Sequence, residues 1–403
     1  MKNKVYIVGV GVSKFTKPSS TSCLVYSKEA IVDALADARI TYEDLEQVFV
    51  GYTTSPCSAD SCYGQRICYE IGMTAIPIHN VNNNGATGAT AIFLAAQLIQ
   101  GGIIDVALAL GFEKMTPGAL KSKYTDRSLP GILQAQKMME LTELSNAPVP
   151  VQFFANAGIE HMQKYGTTEV HLAKIAAKNY KHAARNPRAI SDKEYTVQEI
   201  LESKKIHGPV TLLQCCRNSD GAGAVVIMSE NAVNKYNLLD KAVEIVGMEL
   251  ATDTADVFTD NSLMKVAGYG MTCLAAQRLY QKTGVSPNDI DVVELHDCFA
   301  PNELITYEGL QLCKEGEAGK FIDAGDNTYG GKVVVNPSGG LIGKGHPIAA
   351  SGVAQCAELV WQLRGDAGAR QVPNAKIGLQ HTLGLGGATV VGLYRKVMKN
   401  NTS

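Results

Sequence analysis

The sequence predicts a layered α/β protein with a mostly helical insertion, and three observations carry that reading. Strand and helix signals alternate in two long stretches, the pattern of helices covering sheets. A polar segment, residues 117–209, interrupts the first stretch. Glycine is abundant, 39 of 403 residues, as many tight strand–helix junctions require.

The first stretch opens with the strand Val5–Val8, followed by a helix near Ser27–Ala38 and a strand near Val48–Gly51. A short strand from Ile76, an Asn-rich turn and a helix of small and apolar residues come next. The strand Val106–Leu110 precedes the insertion, and the stretch resumes at Gly221–Met228. The second begins at Ala242–Val246 and continues through a helix near Cys273–Thr283. Strands follow at Val292–Leu295, Lys376–Gln380 and Ala388–Tyr394. These boundaries give one half at 1–116 and 210–240, an inserted domain at 117–209 and a second half at 241–403. Gly9-Val-Gly11 reads as a tight turn after the first strand, being too short for a dinucleotide site.

Composition removes several function classes. With 37 basic and 39 acidic residues and no basic block, nucleic acid is not an expected partner. No run of about 18 apolar residues exists, so no membrane span is expected. Met1-Lys-Asn-Lys enters a strand without a signal-peptide apolar region, and Lys399-Asn-Asn-Thr-Ser403 is not a peroxisomal tail. Cys23, Cys215, Cys216, Cys273, Cys313 and Cys356 read as buried thiols, which fits a reducing intracellular compartment. Cys57, Cys62 and Cys68 cluster, but their spacing is not that of a zinc ribbon, and no metal is expected.

Four loops at strand ends concentrate the chemistry. Position 85 falls at a helix's first turn, where free N–H groups and the helix dipole would lower a thiol's pKa, yet it is Gly85. His296-Asp-Cys-Phe299 follows the strand at Val292, where His and Cys could shuttle a proton. Asn336-Pro-Ser-Gly-Gly-Leu-Ile-Gly-Lys-Gly-His346-Pro347 is a shaped loop leading into a helix at Ile348–Leu363, with Pro347 at N1. His381-Thr-Leu-Gly-Leu-Gly386-Gly387 offers backbone N–H groups to a ligand oxygen, or is a plain turn between strands. In the insertion, the run Lys174–Arg185 reads either as a solvated helix face or as a lid gripping a phosphate-bearing ligand.

Taken together, His296-Asp-Cys-Phe299, Asn336-Pro-Ser-Gly-Gly340, Gly345-His-Pro347 and His381-x-x-Gly-x-Gly-Gly387 resemble the motif set of thiolases of the sterol-carrier-protein type. Gly325-Asp-Asn-Thr-Tyr-Gly-Gly-Lys332 adds to it, and the resemblance spans essentially the whole chain. It implies two similar halves in a five-layer αβαβα stack with an inserted loop domain. It also implies a homodimer or dimer of dimers, peroxisomal, mitochondrial or cytoplasmic. The implied reaction is thiolysis of 3-ketoacyl-CoA or the reverse Claisen condensation, with coenzyme A as substrate or product and no permanently bound cofactor.

The resemblance further implies that His346 is the base that activates the nucleophile. His296 would form the first oxyanion hole with it, and Cys298 would be the acid/base at the acetyl-CoA carbon. The N–H groups of residues 85 and 386 would make the second hole, in a loop that His381 shapes. The departure is Gly85, where the family carries its nucleophilic cysteine. Neither Cys298, already the acid/base, nor Cys62, in a preceding loop, is an evident substitute.

Three functions are then open: an acyl-CoA-binding scaffold without normal thiolysis, a non-covalent aldol or retro-aldol enzyme on a CoA thioester, and a non-catalytic acyl-CoA or lipid-binding protein. Relatives of the thiolase fold that cleave steroid side chains lack the nucleophile too, but carry tyrosines where His296 and the Gly-His-Pro loop stand here.

Overall fold

The computed structural model describes residues 3–53, 62–115, 126, 128 and 130–397. Its first half holds strands β1 Val5–Val12, β2 Gln47–Gly51, β3 Ile78–Val81 and β4 Val106–Glu113, with helices α1 Cys23–Asp37, α2 Tyr63–Cys68 and α3 Thr87–Gln100. An inserted segment follows: α4 Ile132–Leu141, α5 Val149–Tyr165, α6 Glu169–Ala183, α7 Val197–Glu202 and a small hairpin, β5 Lys205–His207 with β6 Val210–Thr211. β7 Gly221–Ser229 and α8 Glu230–Lys235 complete the half. The second half contains β8 Val243–Ala251, α9 Asp256–Thr259, α10 Leu263–Val266, α11 Tyr269–Thr283, β9 Val292–Glu294, α12 Ala300–Gly309, α13 Ala318–Asp323, β10 Val334–Val335, α14 Gly340–Lys344, α15 Ile348–Arg364, β11 Ile377–Gly384 and β12 Ala388–Lys396.

The strand order exposes an internal duplication. Ten strands run β10-β9-β11-β12-β8-β1-β7-β4-β2-β3. Counted outward from the centre, each half reads first, fifth, fourth, second and third strand. Directions match as well: β2 is parallel to β3 and β4, as β9 is to β10 and β11, while β7 and β12 are antiparallel to their neighbours. The halves join through two residue pairs, Tyr6 with Glu244 and Ile7 with Val243.

Three apolar cores define five layers. α1, α2 and α8 pack on the outer face of the first half through Ile31, Ile67 and Val233. α3 and α15 fill the middle, against Ile7, Val225, Val292 and Val390. α6, α11 and α12 cover the second half through Ile175, Leu279 and Leu304. α15 is buried on almost every side, as a helix between the two halves of the sheet must be. α3 and α15 cross without side chains between them: a Cβ on Gly88 would overlap the Ala349 carbonyl oxygen, and one on Gly352 would stand 2.6 Å from the Ala89 nitrogen. Among the described residues no helix is long and apolar enough to cross a membrane.

Several sequence expectations need correction. Gly9 and Gly11 are not in a turn; they lie inside β1, where a Cβ would overlap carbonyl oxygens of α1, so they let that helix sit on the strand. His381 is inside β11 rather than in the loop after it. Pro347 is the N-cap of α15, not its first residue. The run on α6 is divided: Lys181 and Arg185 are exposed, as a solvated face expects, while Lys178, Asn179, Tyr180 and His182 are buried. Cys57 and the start of the insertion lie outside the described residues.

Candidate active site

Gly85 lies in the 3-10 turn Asn84–Ala86, just ahead of α3 rather than in its first turn. The asparagines before it explain the turn. Asn84 adopts a left-handed φ of 50° and donates its N–H to Asn82 Oδ1 at 2.9 Å, while Asn83 N–H bonds Thr87 Oγ1 at 2.8 Å. His346 occupies the matching place in the second half, two residues before the first residue of α15 as Gly85 is two before that of α3. The duplication therefore brings two helix N-termini, and with them positive backbone charge, to one point.

His296 stands between these turns, at the end of β9. Its ring meets that of His346 edge to face, with centroids 5.1 Å apart. An ideal Cβ on Gly85 would stand 2.9 Å from His296 Cε1 and 3.3 Å from Nε2, and would overlap the carbonyl oxygen of Leu383. The structure thus gathers Gly85, His296 and His346.

Hydrogen bonds assign the tautomers. Ser351 has one O–H, which it donates to Pro347 O, so its oxygen accepts from His346 Nδ1–H at 2.7 Å and Nε2 keeps a free lone pair. Thr272 likewise donates to Gly268 O and accepts from His381 Nε2–H at 3.1 Å, leaving His381 Nδ1 facing the His296 N–H at 3.5 Å. Both nitrogens of His381 are thereby occupied, and its ring props the backbone of His296. Burial pushes His296 and His381 down to about 3. Burial, then the nearby His296 and Lys344, holds His346 well below its ordinary value. All three rings are neutral near pH 7.

Cys298 is buried, and that burial, followed by the neighbouring Cys216 and Asp297, raises its thiol well above the ordinary value, so it stays protonated. Its Sγ lies 3.9 Å from Asn302 Nδ2. Cys62 is exposed ahead of α2, whereas Gly85 is buried. Gly386, with φ of 104°, lies in the hairpin turn after β11 and faces Pro130. The residues of that hairpin nearest the Gly85 turn are Leu383 and Gly384 instead; a Cβ on Gly384 would overlap Asn83 O.

A buried polar network fixes the loops, and most of its members were not singled out from sequence. Asp297 accepts from Leu341 N at 2.7 Å, Ile342 N at 3.2 Å and Asn179 Nδ2 at 2.8 Å. Gly340, with φ of 59°, is required there because a Cβ would overlap that carboxylate. Glu303 binds Lys178 Nζ, Tyr307 OH, Asn179 Nδ2 at 2.6 Å and Asn336 Nδ2 at 3.3 Å. Asn336 Oδ1 accepts from Leu295 N at 2.9 Å, and His182 bonds Asn336 O at 3.0 Å. Burial, then the neighbouring Glu303, raises Asp297 to about 8. The inserted helix α6 thus holds the loops of His296 and His346 in register. The signal was present in the sequence as the polar residues Lys178 and His182, four apart on one face of α6.

Two family models match the chain: "Thiolase, N-terminal domain" over residues 5–195 and "Thiolase C-terminal domain-like" over residues 254–392. "Sterol carrier protein 2" of Bos taurus is 53% identical over 398 residues, 98% of this chain and 73% of that one. "Non-specific lipid-transfer protein-like 2" of Caenorhabditis elegans is 49% identical over 401 residues, covering 98% and 96%. Among solved structures, an "Ltp2-ChsH2(DUF35) aldolase" superimposes with a TM-score of 0.83 at 25% identity, covering 98% of both chains. Human mitochondrial 3-ketoacyl-CoA thiolase in complex with CoA has the same fold, with a TM-score of 0.72 at 20% identity and 98% of both chains covered.

Proposed function

We propose, for a chain that belongs to the thiolase family and to its sterol-carrier-protein type, that it binds acyl-CoA thioesters without forming an acyl-enzyme. One observation carries this reading: the position against His296, whose ring packs on that of His346, is a glycine. Thiolysis through a covalent intermediate needs a thiolate there, and loss of such a nucleophile lowers turnover by several orders of magnitude. The human thiolase that shares the fold was solved in complex with CoA, which supports a ligand carrying that group. In this reading the N–H of Gly85 and one from the Gly384–Gly387 turn polarise the thioester carbonyl. His346 Nε2 is the base, His296 lines the first hole, and the protonated Cys298 thiol supplies a proton to an α-carbon.

Calorimetry with acetyl-CoA and butanoyl-CoA, beside a thiolysis assay on acetoacetyl-CoA plus CoA, tests the proposal. Micromolar binding with no thiolysis is expected. Turnover by the unaltered chain refutes it.

A second reading is favoured by the aldolase neighbour at 25% identity. Removal of the C3 hydroxyl proton would drive retro-aldol cleavage of a 3-hydroxyacyl-CoA: the C2–C3 bond breaks to give a carbonyl compound and the enolate of a shorter acyl-CoA, which takes up a proton at C2. Product release from such a substrate, or deuterium uptake at C2, distinguishes it. Binding with neither leaves the non-catalytic lipid-binding reading, which the lipid-transfer relative supports. The edge strand β3, with Asn80 and His79 exposed, further supports pairing with a second copy in a homodimer or a dimer of dimers.

A further inference from the structure

A pocket one residue from Gly85 carries a polar pair that the proposed chemistry does not use. Leu383, whose carbonyl closes over Gly85, also lines this pocket with Phe153, Val266 and Met271. Gln134 and Asp253 are its side-chain polar groups. Gln134 is only 8% exposed, and its Nε2 donates to Asp253 Oδ2 at 2.6 Å. That bond fixes the amide orientation, because a flipped amide would aim oxygen at a carboxylate. Gln134 Oε1 is therefore held as an acceptor, and it is buried without a partner. Asp253 lies against the glycine turn, with Oδ2 2.6 Å from where a Cβ on Gly387 would stand. Burial raises its pKa.

An unpaired buried acceptor is unfavourable by about 1–3 kcal/mol, so a ligand that supplies its missing donor is favoured over one that does not. The pocket has room for about 20 Å³, the space of one water or one donor group on a chain.

We propose that Gln134 and Asp253 form a donor-reading subsite for the thioester ligand, accepting one O–H or N–H that the ligand presents at the Gly384–Gly387 turn. This rests on the proposed function and names the substrate feature its site selects. The donor has two possible sources, a hydroxyl on the acyl chain or an amide N–H of the pantetheine arm.

The test measures binding of CoA, butanoyl-CoA and 3-hydroxybutanoyl-CoA to the unaltered chain and to Gln134→Met. If the acyl hydroxyl is read, the unaltered chain prefers 3-hydroxybutanoyl-CoA by about tenfold and the variant loses that preference. If the pantetheine amide is read, Gln134→Met weakens all three ligands about tenfold alike. Binding of all three by Gln134→Met as tightly as by the unaltered chain overturns the subsite and leaves the proposed function standing. Failure of the unaltered chain to bind any of them overturns both. Gln134→Leu also removes the acceptor at similar volume and gives the same comparison should Gln134→Met not fold.

Discussion

The carbonyl of Leu383 fills the place where a side chain on Gly85 would begin. Any larger residue at 85 must displace backbone, so Gly85→Ala and Gly85→Cys are each expected to lose about 1–3 kcal/mol in urea unfolding. Gly85→Cys alone is expected to gain thiolysis of acetoacetyl-CoA, because the His296 imidazole already borders the position and His346 packs against that ring. A Gly85→Ala variant as stable as the original chain would show that the Leu383 carbonyl is not in the way.

Low imidazole pKa values have a direct spectroscopic consequence. His296 and His381, with pKa values of about 3, stay neutral from pH 8 down to pH 5. Their ring resonances, assigned with His→Gln variants, should be flat over that range, whereas an exposed His titrates near 6.5. A midpoint near 6.5 for either ring would contradict their burial.

Ser351 should matter only where His346 acts as a base. In the Gly85→Cys background, Ser351→Ala removes the oxygen that holds His346 Nδ1–H at 2.7 Å. Its kcat should fall by about tenfold or more with KM little changed. An equal kcat would mean that the tautomer is set elsewhere.

The inserted helix is held to the second half by charge. Lys178→Met leaves Glu303 buried without its cation and should lower stability by about 3–5 kcal/mol. Adding Glu303→Leu should recover part of that loss. Chemical denaturation of the two variants checks both statements, and a single variant as stable as the original chain would deny the pair its role.

Local pattern made the elements and the four loops readable from the chain, because alternation and glycine placement act over a few residues. What stayed hidden depends on distant contacts. Gly9 and Gly11 read as a turn, since only the packed helix α1 reveals why a strand lacks side chains there. His381 read as a loop residue, but β11 extends past it because Thr382 pairs with Val390 across the hairpin. Lys178, inside the run Lys174–Arg185, was not set apart from its solvated neighbours, since its acidic partner Glu303 lies 125 residues away. The Leu383 carbonyl could not be foreseen at all, because backbone oxygens carry no sequence signature.

The crossing of α3 and α15 has one more consequence. Gly88 and Gly352 touch no reactant, yet their bare backbones decide how near the two halves draw their turns. A single methyl group at either crossing would act as a wedge between the duplicated units. Every chemical group would survive, and the span from residue 85 to the imidazoles would still be wrong. Spacing in this molecule is thus metered from its centre, by what two residues lack.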